Sequence, residues 1–248
     1  YQPEAYIPSS DTYIDKDASI NDEIDRLRLS ATKSLITRKD VIVVASVSCI
    51  YGLGAPENYY KSMVHIKKGE ELERDLLLQK LISIKYSRND MAIERGTFSV
   101  KGDVIEICPA YERDIIRVEY YGDKIEKIYT RDKITGKSLA EHAEQTIFPA
   151  THFVTNEQSL ERGLKGIELE LQEQLIFFNS KNKLLEAQRI EQRTKYDLEM
   201  LREMGYCSGV ENYSRQLDGR AAGEPPSTLL SYFPKDFLLI VDESHITI

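Results

Sequence analysis

Two Gly-Asp pairs constrain this chain more than any other feature. Thr97–Lys101 and Val104–Cys108 flank Gly102-Asp103, and Ile115–Tyr121 and Lys124–Tyr129 flank Gly122-Asp123. The flanking runs are rich in β-branched and aromatic residues, and a two-residue turn needs the left-handed backbone that glycine adopts freely. The pattern predicts two antiparallel hairpins in the middle of the chain. Met63–Ile66 reads as another strand, Glu70–Ser83 as a helix, and Phe148-Pro149-Ala150 as the close of the region. Together they predict a small α+β domain over about 60–154.

The flanks have a different texture. Ile20, Ile24, Leu27, Ala31 and Leu35 follow a 3.6-residue stripe behind Ser19, an N-cap residue. Val41–Ile50 is an apolar, β-branched run ended by Gly52 and Gly54, and Phe237–Val241 is a second such run. A helix followed by a strand buried on both faces predicts an α/β fold with a parallel sheet. The α+β domain would then be an insertion between residues 1–59 and 155–248 of that fold. Thr155 can cap a helical stretch from Asn156 to Met204, which Asn179-Ser180-Lys181-Asn182 divides into an antiparallel pair before Gly205 stops it. Near the start, Glu4–Ile7 and Thr12–Ile14 surround Pro8-Ser9-Ser10-Asp11, which predicts a further hairpin over about 1–17.

Composition excludes several classes. Among 248 residues, 33 Lys+Arg against 41 Asp+Glu give a formal charge of −8, so bulk charge does not attract nucleic acid. The longest apolar stretch, Val41–Ile50, is too short to span a bilayer and contains two serines. Cys49, Cys108 and Cys207 are far apart, which excludes a CxxC zinc site and a disulfide framework and suits a reducing, cytoplasmic setting. The chain starts at Tyr1 and stops at Ile248, shortly after a charged motif, which predicts an internal piece of a longer protein.

That motif is Asp242-Glu243-Ser244-His245 at the end of the second apolar run. An apolar strand delivering two carboxylates fits the Walker B pattern. Asp242 would hold Mg²⁺ and Glu243 would polarise the attacking water. Asp-Glu-x-His is the form found in DNA and RNA helicases, where His245 would link nucleotide state to the motor. The competing reading is a buried strand that happens to end in acids. Gly136-Lys137-Ser138 is the nearest approach to a phosphate loop, but Arg131 stands where its first glycine belongs, so it reads as a turn. Without a phosphate loop this chain alone should not hydrolyse ATP.

Tyr1, Tyr6 and Tyr13 fall on the first hairpin with Glu4, Lys16 and Asp17. Aromatics on a protruding hairpin can stack on unpaired bases, and the charges can lock it; packing of the tyrosines on their own domain is the alternative. Arg95, Lys101 and Arg117 lie on the strands of the inserted domain and could face an acidic partner or simply a solvated sheet face. His65, His142 and His152 are scattered, and Asn212-Tyr213-Ser214-Arg215 suggests no mechanism.

Several segments together resemble the UvrB family, the damage-verifying subunits of the bacterial nucleotide excision repair endonuclease. They are Tyr1-Gln2-Pro3-Glu4-Ala5-Tyr6, Asp15-Lys16-Asp17-Ala18-Ser19-Ile20-Asn21 and the stretch from Ala45 to Gly54. Arg95-Gly96-Thr97-Phe98, the stretch from Cys207 to Arg215, and Asp242-Glu243-Ser244-His245 complete the set. The resemblance covers essentially the whole chain, in order. It implies a superfamily-2 helicase fold interrupted by a domain that docks UvrA, and a β-hairpin that inserts between the strands of damaged DNA. It implies ATP and Mg²⁺ as cofactors of the full-length protein, with Asp242, Glu243 and His245 in motif II, and later recruitment of UvrC. Ser99 departs from the pattern, standing where a basic residue is expected on the partner-binding strand. The alternative reading is a non-catalytic UvrA-docking module like that of the transcription–repair coupling factor, which should lack the Tyr1–Tyr13 hairpin. Residues 1–29 hold seven Asp/Glu and three Lys/Arg, so a DNA-engaging hairpin here would grip by aromatic insertion after delivery by UvrA.

Overall fold

The computed structural model describes residues 5–7, 12–14, 22–50, 52–154 and 157–247. β1 (Ala5–Ile7) and β2 (Thr12–Ile14) pair antiparallel, with Tyr6 directly opposite Tyr13. The expected turn between them, and the capping Ser19, lie outside the described residues. α1 (Asp22–Thr37) opens with Asp22, Glu23 and Asp25, charges that suit the positive end of the helix dipole. Its buried side is Leu29 and Thr32, while Ile24 and Leu27 of the expected stripe are about half exposed.

Val41–Ile50, expected as a strand buried on both faces, is irregular up to a 3₁₀ turn at Val47–Ile50, and Ile42 and Val44 are almost fully exposed. Phe237–Val241 is likewise irregular, with Leu238 and Ile240 exposed. A parallel strand exists only through hydrogen bonds to its neighbours. Among the described residues neither run meets such a neighbour, so the ladder that would bury both of its faces does not form. The expected helicase-type parallel sheet is therefore absent from the described residues, and the fold is a mixed α/β arrangement built on another sheet.

That sheet fills the middle of the chain. α2 (Pro56–Ser62) starts on a proline, which needs no amide partner at a helix start, and leads into β3 (Val64–Lys67). α3 (Arg74–Ser83) follows, then the short β4 (Ser87–Arg88). β5 (Thr97–Lys101), β6 (Val104–Cys108), β7 (Ile115–Tyr121), β8 (Lys124–Arg131) and β9 (Ser138–Glu141) form an antiparallel meander. β4 joins its edge parallel to β5, giving six strands in the order β4-β5-β6-β7-β8-β9. Gly102 and Gly122 both have φ of 61° at the hairpin tips, as the Gly-Asp turns predict. β10 (Glu144–Ile147) returns to pair antiparallel with β3, closing the region. One sheet face packs on α3: Leu77, Leu81 and Ile84 meet Phe98, Ile105, Ile107, Ile116, Val118 and Ile128.

α4 (Glu157–Ser180) and α5 (Leu184–Met204) form the expected antiparallel pair, turning at Asn182 and stopping at Gly205 in the left-handed region. Thr155 lies outside the described residues. A 3₁₀ turn at Val210–Tyr213 runs into α6 (Ser214–Asp218), and Leu164, Ile167, Leu198, Leu201, Cys207, Val210 and Leu217 bury together between them. A second 3₁₀ turn at Leu229–Tyr232 brings Tyr232 into a cluster with Leu29, Leu53, Tyr59, Tyr111 and Phe148, which joins α1 to the sheet domain. α7 (Ser244–Thr247) ends the described chain. Among the described residues no helix is long and apolar enough to cross a membrane.

Candidate functional site

The face of the six-stranded sheet opposite α3 carries a row of polar residues set by strand register. Ser99 stands opposite Glu106, Glu106 opposite Arg117, Arg117 opposite Tyr129, and Tyr129 opposite Glu141. Successive residues of a strand alternate faces, so this row lies on one side while the apolar residues face α3. Arg117 donates to Glu106 at 3.1 Å and to Glu119 at 3.2 Å, and Arg131 reaches Glu106 at 2.8 Å. Tyr129 donates its hydroxyl to Glu119 at 2.8 Å beneath the Arg117 guanidinium, 5.8 Å from its ring centroid. Burial, followed by that hydrogen bond, pushes the Tyr129 phenol upward, so it stays a donor. Glu106 is buried, and two arginines balance its charge. Ser99 is buried beside it, where a longer basic side chain would have to reach out over the face.

The three cations expected at a partner surface separate. Lys101 is exposed at the β5–β6 turn, free of the Glu106 network. Arg117 is half-buried inside that network. Arg95 points elsewhere: its guanidinium bonds Asp22 and Asp25 of α1 and the carbonyl of Ala110.

Of the hairpin residues, Tyr6 and Tyr13 are paired across β1 and β2, and Tyr1, Glu4, Lys16 and Asp17 lie outside the described residues. Asp242, Glu243 and His245 are exposed, the two acids in the turn before α7, with Glu243 at φ 51°, and His245 in the first turn of α7. The Glu243 amide donates to Asp242 Oδ1 at 2.9 Å, and His245 Nε2 lies 3.4 Å from Glu243 Oε2. No group of three or more His, Cys, Asp or Glu side chains suited to a metal ion occurs among the described residues. Two neighbouring carboxylates with no phosphate loop do not by themselves fit Mg²⁺ and a nucleotide. Gly136-Lys137-Ser138 belongs to the β8–β9 turn, where Asp132 Oδ1 accepts the amides of Ile134 and Thr135 at 3.0 and 2.6 Å, so it is a turn and not a phosphate cradle.

Two polar centres escaped the sequence reading. His152 is buried with its Nε2 2.8 Å from Thr32 Oγ1, its ring stacked on Tyr59 at 6.0 Å. Burial, with the Arg28 charge adding, holds it down at about 3, so it is neutral. Asp197, buried on α5, accepts from Tyr213 at 2.7 Å and from Arg193 at 3.1 Å. Tyr213 lies in the stretch for which sequence offered no mechanism. Its partner is 16 residues away, and nothing local signals it.

Residues 64–153 match the UvrB interaction domain, and residues 158–219 match the UvrB third helical domain. UvrABC system protein B from Streptococcus pyogenes strain Manfredo, serotype M5, is 59% identical over all 248 residues. Its counterparts from strains NZ131 and MGAS10750 are equally similar. The chain spans 37% of the length of each of these relatives. With both domains in sequence and identity sustained from end to end, the chain belongs to the UvrB family.

Proposed function

We propose that this chain is the UvrA-docking and hairpin-bearing part of a UvrB protein and works in UvrABC nucleotide excision repair. One observation carries the reading: the interaction domain, the third helical domain and a strand pair with Tyr6 opposite Tyr13 occur together in one chain. The sheet domain offers Lys101 as an exposed cation beside a fixed charge network, a surface suited to an acidic patch on UvrA. The β1–β2 hairpin would enter damaged DNA, with Tyr1, Tyr6 and Tyr13 stacking on bases and Glu4, Lys16 and Asp17 holding its shape. Asp242, Glu243 and His245 would supply motif II of a superfamily-2 motor in the full-length protein. ATP and Mg²⁺ would need a phosphate loop from outside these residues. UvrC would be recruited afterwards, and the setting is the cytoplasm. A stand-alone docking module of the coupling-factor type is less well supported, because the β1–β2 strand pair and the third helical domain both accompany the docking domain in this chain.

Calorimetric titration of the 248-residue chain with UvrA tests the docking role. A dissociation constant of about 1 μM or tighter, some 8 kcal/mol, is expected. Silence at tens of micromolar, roughly 6 kcal/mol, rejects it. For the motor, Glu243→Ala in a full-length UvrB carrying this chain should abolish ATP turnover and leave UvrA binding intact. Undiminished turnover rules out the motif II role.

A further inference from the structure

The first turn of α1 is wired into the interaction domain. Arg95 Nη2 meets Asp22 Oδ1 at 3.0 Å, and Arg95 Nη1 meets Asp25 Oδ2 at 2.8 Å while also donating to the Ala110 carbonyl at 3.2 Å. Arg113 reaches Glu23 at 3.1 Å. Further along the helix Lys33 pairs with Glu112 and lies 5.1 Å from the centroid of the Tyr111 ring. From Asp22 to Lys33 these contacts run along about 16 Å of helix. The same side of α1 buries Leu29 in a cluster with Ala110, Tyr111 and Phe148. Only residues 15–21 separate Asp22 from Ile14, the end of the β1–β2 hairpin.

The pairs are not equal. Arg113 is largely exposed and shares Glu23 with Arg26, and an exposed pair does little. Arg95 is about three-quarters shielded, and its planar fork serves two carboxylates and a carbonyl at once. A bidentate guanidinium fixes direction as well as distance, which a lysine at the same point could not do. Arg95 is also absent from the polar row on the open sheet face, so its charge is spent inside the molecule.

We propose that Arg95 is a positioning residue: it ties α1, the helix that follows the β1–β2 hairpin in sequence, to the interaction domain, so that the domain docked on UvrA fixes α1, from which the hairpin chain extends, relative to DNA. The inference rests on the function proposed above for its second half; the tie itself stands on the geometry.

The test has two arms. In the 248-residue chain, amide hydrogen exchange over the first two turns of α1 should speed up about tenfold in Arg95→Gln, a local opening without global unfolding. Asp25→Asn, which leaves the sheet domain untouched, should do the same. In a full-length UvrB carrying this chain, Arg95→Gln should keep its UvrA affinity within about twofold, as expected for a residue off the docking face, yet lower UvrA-dependent loading on damaged DNA about fivefold or more. The exchange of Arg95→Glu with Asp25→Arg restores opposite charges across the gap and should recover much of that loading, which a purely steric role would not allow. Parallel loss of UvrA affinity and loading would make Arg95 a partner contact and overturn the proposal. Unchanged exchange, unchanged loading, or no rescue by the charge exchange would overturn it as well. If the unsubstituted protein does not bind UvrA at all, the functional reading fails, while the exchange arm still judges the tie.

Discussion

Tyr213 and Asp197 meet at 2.7 Å, the phenol donating to a carboxylate that is almost wholly buried. This contact holds the 3₁₀ turn before α6 against α5, and Arg193 completes the set with a second bond to the same oxygen. Burial first, and then the Asp197 hydrogen bond, raise the Tyr213 phenol, so it remains a donor at any pH the protein experiences. Tyr213→Phe removes one donor and leaves a buried carboxylate short of a partner. The cost should be about 1–3 kcal/mol, because an unmet buried acceptor forfeits its desolvation. Urea unfolding of the 248-residue chain measures it, and a loss under a few tenths of a kcal/mol would show that water reaches Asp197.

His152 makes stability depend on pH in a defined window. Its ordinary value is 6.5, and burial holds it at about 3 in the folded protein. The folded state therefore binds its proton later than the unfolded state as pH falls. The stability associated with neutral His152 is intact above about 6.5 and drains as pH drops toward about 3, with a slope of up to roughly 1.4 kcal/mol per pH unit. Carboxylates contribute mainly below about 4.5, so the comparison belongs between pH 6.5 and 5. His152→Gln can keep a hydrogen bond to Thr32 while removing the titration. Its unfolding free energy should be flatter than the parent's across that interval. Equal slopes would mean that the imidazole is solvated.

α4 and α6 approach closely over a glycine. A methyl group at Gly163 would sit 2.9 Å from Leu217 Cδ2, 3.2 Å from Leu217 Cα and 3.3 Å from the Gln216 carbonyl oxygen. The last two are backbone and cannot swing aside. Gly163→Ala gains about 1 kcal/mol of helix propensity and loses about 1–3 kcal/mol to overpacking. The net expectation is a lower melting temperature for the chain. A rise would show that the two helices separate at no cost.

These contacts mark where sequence reading succeeds and where it stops. The β5–β6 and β7–β8 hairpins were legible because each Gly-Asp turn joins strands that are neighbours in sequence, and the α4–α5 pair was legible for the same reason. The parallel entry of β4 beside β5 and the return of β10 to β3 were not, since no local pattern specifies either pairing. Val41–Ile50 and Phe237–Val241 misled because apolar β-branched composition states a need for neighbours without supplying them. Arg95 misled differently. Its sequence pattern puts it on a strand as a surface cation, but it sits in the turn before β5 and its acceptors lie 70 and 73 residues away on α1. Asp242-Glu243-Ser244-His245 was legible as residues, whereas the strand expected to carry it does not form among the described residues.

Lys101 gives the sharpest separation between docking and folding. It is exposed at the β5–β6 turn, opposite Val104 and outside the network of Glu106, Arg117 and Arg131. Reversing its charge should leave the fold alone, since a surface substitution of this kind changes stability by about 0.5 kcal/mol or less. If the open sheet face docks UvrA through acidic groups, Lys101→Glu replaces an attraction with a repulsion. A rise in dissociation constant of about tenfold, roughly 1.4 kcal/mol, is expected in calorimetry, and it should shrink in high salt. Glu106→Gln is the matched contrast. It lies in the same face, but its two arginines make it a structural acceptor, so its loss should lower the melting temperature more than it weakens binding. If Lys101→Glu binds UvrA as tightly as the parent while Glu106→Gln binds more weakly, docking depends on the integrity of the network and not on the exposed cation at its edge.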